Sequence, residues 1–147
     1  MGYALFAQRK LVLDSQLNSA QLQQTQRSNE QFKLATTSAG LSQQLTSLST
    51  AQSGELADLY GMLAESTDSN VRASIQSRIE QKELEFEREA DKINRKIYEI
   101  GIKENAIEME VKRLDTQVTA LQQQLQAVEE AEGDAINRAT PKFKGVG

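Results

Sequence analysis

Apolar residues recur with a seven-residue repeat from Phe86 to Val128. One series is Phe86, Ile93, Ile100, Ile107, Leu114, Leu121 and Val128, and a second is Ala90, Ile97, Val111, Val118 and Leu125. The steps alternate between four and three residues, which places the first series at d and the second at a of a heptad. A strict 3.5-residue period stays in line only when helices supercoil left-handedly about a partner. The pattern therefore predicts one long helix over about 70–133 and requires another helix to cover its seam.

The first half of the chain supplies that partner. With Tyr3 at a, the seam runs through Tyr3, Phe6, Leu13, Leu17 and Ala20, then Leu34, Leu41, Leu45 and Leu48, and ends with Leu59 and Met62. Gln24, Arg27, Gln31 and Ser38 interrupt it. This predicts a first arm over about 3–63. Gly40, Gly54 and Gly61 each cost roughly 1 kcal/mol relative to alanine inside a helix, and residues 36–54 are rich in Ser and Thr, so a break near Gly40 or Gly54 is an open alternative.

Between the arms, Glu65-Ser-Thr-Asp-Ser-Asn70 lacks apolar residues and offers Ser66, Thr67, Asp68 and Ser69 as N-caps, placing a turn at about 64–69. Gly133-Asp134 is the expected end of the second arm, although Ala135 and Ile136 would allow another turn, and Pro141 is expected to stop any helix in the tail 134–147. The sequence thus predicts an all-α fold: a single antiparallel coiled-coil hairpin with arms of about 60 residues, roughly 90 Å each at 1.5 Å per residue. Folding the chain at residue 67 pairs positions whose numbers sum to about 134. Leu13 then meets Leu121, Leu17 meets Val118, and the polar Gln24–Gln31 interruption falls opposite Glu104, the charged residue at an interior a position. Arg27 and Glu104 are therefore expected to form a polar layer that fixes register.

Several apolar residues lie off the seam. Tyr98, Ile102 and Met109 occupy b and f of the second arm, with Gly101 beside them as a candidate point of close backbone approach. Leu5, Leu11, Val12 and Phe32, with Leu22, point away from the partner on the first arm. A lone hairpin would leave them in water, whereas helices that are apolar on several faces are ordinarily covered by further contacts. Leu5, Leu11, Val12, Phe32, Tyr98, Ile102 and Met109 form the expected assembly interface of a homo-oligomer.

Composition narrows the function classes. His, Cys and Trp are absent from the 147 residues. Disulfides and thiolate chemistry are excluded, and so are the usual transition-metal ligands and the commonest general base. No acid–base pair stands out, so the chain is not expected to be an enzyme or to hold a cofactor. Glu129, Glu130, Glu132 and Asp134 lack the loop spacing of a calcium site. The run Glu83, Glu85, Glu87, Glu89 has Lys82, Arg88, Lys92 and Arg95 at pairing distance, as expected of a solvated face. Net charge is −4 without a basic patch, which argues against nucleic acid. The apolar runs are too short for a membrane span or for the core of a Sec-type signal. The tail Lys142-Phe-Lys-Gly-Val-Gly147 is a candidate docking peptide, with disorder as its alternative.

The helical hairpin, the lack of Cys, His and Trp, and the Gln/Ser/Thr-rich first half resemble exported filament and needle subunits of type III secretion systems. Here the turn is Ser66–Asn70, without the proline of the needle subunits' turn. The resemblance implies a structural subunit exported without a cleavable signal to the cell surface or exterior, stacked in many copies into a helical tube. The alternative is a soluble coiled-coil adaptor, stalk or chaperone of a secretion apparatus, which would be cytoplasmic.

Overall fold

A computed structural model describes the backbone of residues 2–144 and the side chains of residues 3–138. The protein is all-α: α1 spans Gly2–Glu65 and α2 spans Ser69–Lys144, and the two pack against each other as an antiparallel hairpin. Their contacts fall into two units. One joins the residues up to Gln31 with those from Ala106 onward, and the other is Phe32–Asn105.

α1 runs without a break through Gly40 and Gly54. The Ser/Thr-rich stretch stays helical, and its threonine hydroxyls are satisfied inside the helix without drawing the backbone out of it. Thr36, Thr37, Thr46 and Thr50 each donate to the carbonyl four residues earlier, at 2.9–3.1 Å. Covering Leu34, Leu41, Leu45 and Leu48 then outweighs the modest propensity cost. α2 likewise passes Gly133 and continues through Pro141 to Lys144, beyond the expected end. Glycine raises the cost of a helix without forbidding it, and Pro141, one turn from the end, removes a single i→i−4 bond. The candidate docking tail lies outside the residues whose side chains are described.

The connection is the three residues Ser66, Thr67 and Asp68. Asp68 Oδ1 accepts from the Asn70 amide at 2.9 Å, making Asp68 the N-cap of α2. Arg72 Nη1 reaches back to donate to the carbonyls of Leu63 at 2.7 Å and Ser66 at 3.0 Å. The first is an acceptor that the end of α1 leaves open, and the second belongs to the residue that follows it. One arginine in the first turn of α2 therefore closes the last turn of α1.

The register differs from the expected one by about a helical turn. In the first unit Lys10 pairs with Glu129, Gln24 with Asp115 and Arg27 with Glu110, pairs whose numbers sum to 137 or 139. Ala20 is buried with Val118 and Leu121, with Leu13 and Leu17 packed against them. In the second unit Lys82 pairs with Glu55, again summing to 137. The numerical midpoint misleads because the connection climbs: in this register α2 starts about one turn beyond the end of α1. A four-residue slip also exchanges a for d, so apolar positions face apolar positions in either register.

Seam positions follow alternating steps of three and four along both helices, with one interruption. In α1 the covered residues Leu45, Leu48, Gln52, Leu56, Leu59 and Leu63 include two successive steps of four, at Leu48–Gln52–Leu56. In α2 the covered residues Ile75, Ile79, Lys82, Phe86, Ala90 and Ile93 include the same double step, at Lys82–Phe86–Ala90. Each is a stutter, a four-residue insertion that locally relaxes the left-handed supercoil. Gln52 and Phe86 are level in the observed register, so the two stutters coincide. The phase change explains why Leu63 takes the seam while Met62 is half exposed. It also places Ile75, which continues no heptad series of the repeat, among the buried residues beside Ile79. At the other end Tyr3, also expected in the seam, is half exposed.

Candidate assembly surface

The expected polar layer does not form as a pair. Arg27 donates from Nη1 to Glu30 at 2.8 Å and pairs through Nε with Glu110 at 3.0 Å. Hydrogen bonds that it donates to Glu30 first, then to Glu110, hold its guanidinium above the ordinary arginine value. Glu104 is half-buried in the seam, level with Leu34, and makes no hydrogen bond or ion pair among the described residues. The one-turn change of register separates the two polar interruptions that the midpoint register brings together.

Ionic contacts elsewhere are exposed. Lys82 lies 3.6 Å from Glu55 and 3.5 Å from Glu85, and their charges, Glu55 foremost, raise its ammonium above the usual lysine value. Lys82 is the one cation of the 82–95 segment seen paired among the described residues. Glu129 pairs with Lys10. No group of three acidic side chains positioned to share a metal ion occurs among the described residues, and no helix is long and apolar enough to cross a membrane.

The surface feature that stands out is apolar. All seven expected interface residues are exposed, with Leu11, Phe32, Tyr98 and Met109 each more than 70% accessible. In the first unit, Leu5 and Val12 come together with Phe6 and Leu13 along one bank of an open groove. Ala127, Val128 and Ala131 of α2 form its other bank. Leu11 and Met109 are not part of that groove. In the second unit, Tyr98 and Ile102, one turn apart on α2, flank a shallow depression with Arg95 and Glu99. Phe32 is exposed on α1 of the same unit and does not line that depression.

Gly101 has open space where a side chain would begin, so no other backbone among the described residues approaches it closely. Tyr60, Met62 and Leu84 of the second unit are also exposed. Leu84 stands two residues before Phe86, and its position off the d series was a readable sign of that. Met62 could not be found this way, because the stutter changes the phase that heptad counting assumes.

No known protein family, curated protein or solved structure matches the chain.

Proposed function

We propose that this protein is a structural subunit that self-assembles through its off-seam apolar residues, building an extracellular helical filament or fibre. One observation carries the reading: large apolar side chains stand exposed on α1 and α2 in both units, outside the seam that the hairpin itself covers. Covering a Leu, Ile, Met or Phe side chain stabilises by roughly 1.5–3 kcal/mol, and a filament repeats each such contact along its length. Catalysis has no comparable support, since the chain offers neither histidine nor cysteine and its described residues bury no polar side chain. Export to the exterior is what the resemblance to type III secretion filament and needle subunits implies.

The test is electron microscopy of purified protein beside sedimentation. Wild type should form large assemblies, and replacing Ile102 and Met109 with Glu and Lys should abolish them while circular dichroism shows unchanged helix content. Wild type that sediments as a monomer across a wide concentration range would overturn the reading in favour of a soluble adaptor.

A further inference from the structure

The groove in the first unit has two unlike banks. Its α1 bank is bulky and basic, carrying Leu5, Arg9 and Val12. Its α2 bank is small, carrying Ala127 and Ala131, and Asp134 lies one turn further along the same side of that helix. All six residues are exposed, and neither Arg9 nor Asp134 makes a hydrogen bond or ion pair among the described residues. The banks are also level. Leu5 and Ala131 sum to 136 and Val12 and Ala127 to 139, close to the register set by Lys10 with Glu129.

We propose that this side binds the same side of a second copy, with both hairpins pointing the same way and a two-fold axis running along the helices. The inference rests on the self-assembly reading and names one of its contacts. Such an axis sets α1 of each copy beside α2 of the other, antiparallel and at the same level. Leu5 of one copy then packs on Ala131 of the other and Val12 on Ala127, so that each bulky side chain enters a shallow position. Arg9 of each copy lies within about 8 Å, measured along the axis, of the other copy's Asp134, inside the reach of an arginine side chain. The competing two-fold, perpendicular to the helices, would stack α1 on α1. That arrangement sets bulk against bulk and basic bank against basic bank, and like charges so placed repel. Charge and size therefore select the same arrangement.

The chain has no native cysteine, so cross-linking is direct. Val12→Cys and Ala127→Cys proteins, mixed and mildly oxidised, should give a disulfide-linked dimer containing one of each. Val12→Cys alone should give none, and neither should Leu11→Cys mixed with Ala127→Cys. Separately, Asp134→Lys should weaken the dimer in sedimentation, and adding Arg9→Glu to it should restore the dimer. Self-linking of Val12→Cys would establish the α1-on-α1 packing and overturn the proposal. So would a double charge variant no better than Asp134→Lys. If wild type assembles without the Val12–Ala127 link, this contact is wrong and self-assembly stands; if wild type stays monomeric, both fall.

Discussion

Individual residues of α1 hold unused stability. Gly40, Gly54 and Gly61 sit in continuous helix, and a Cβ built on each meets nothing within 4 Å. Each Gly→Ala change should therefore stabilise the monomeric hairpin by about 1 kcal/mol, read as a higher urea midpoint at unchanged slope. A substitution that lowers the midpoint would mean that the helix is not continuous at that glycine. Glu104 is the opposite case, a half-buried carboxylate in the seam with no partner among the described residues. Glu104→Leu should raise stability by roughly 1 kcal/mol, because it exchanges a partly desolvated charge for seam burial. Thermal unfolding would check it, and a lower Tm would show that the carboxylate has a partner. Arg27 was legible as a polar seam residue but its partner was not. Glu110 lies beside the seam, where heptad counting does not look.

Among the elements, both long helices and the turn between them could be read from periodicity and the loss of apolar residues at Glu65–Asn70. Their phase relation could not. Two registers one turn apart satisfy the same apolar repeat, and the choice falls to polar groups such as Lys10, Arg27 and Lys82, together with the climb of a three-residue connection. The cap choice was equally open in sequence, where four residues could serve and Asp68 does. Asp68→Ala should cost about 1 kcal/mol of stability, measurable by chemical denaturation, whereas Ser66→Ala, which leaves the Asp68–Asn70 bond in place, should cost much less. Equal losses would mean that the bond between Asp68 and Asn70 is not what starts α2.

For the molecule as a whole, the off-seam apolar residues were visible in sequence as exceptions to the repeat, and they are exposed in the structure. Their grouping was not visible. Leu5 and Val12 share a groove while Leu11, adjacent in sequence, does not, because neighbouring positions on a helix point about 100° apart and only the placement of the second helix decides which side forms a concavity. The matched stutters at Gln52 and Phe86 bind the two halves of the gene product to a common ruler. Removing four residues from one arm there would restore heptads in that arm alone. Every seam position beyond the cut would then be out of step with its counterpart, and helix content and Tm should both fall. Removing four from each arm at that level should leave a shorter hairpin that folds. If the single-arm deletion is tolerated as well as the paired one, the two stutters are not coupled. If they are, a chain of this kind can lengthen or shorten over evolutionary time only by paired insertions or deletions, one in each arm.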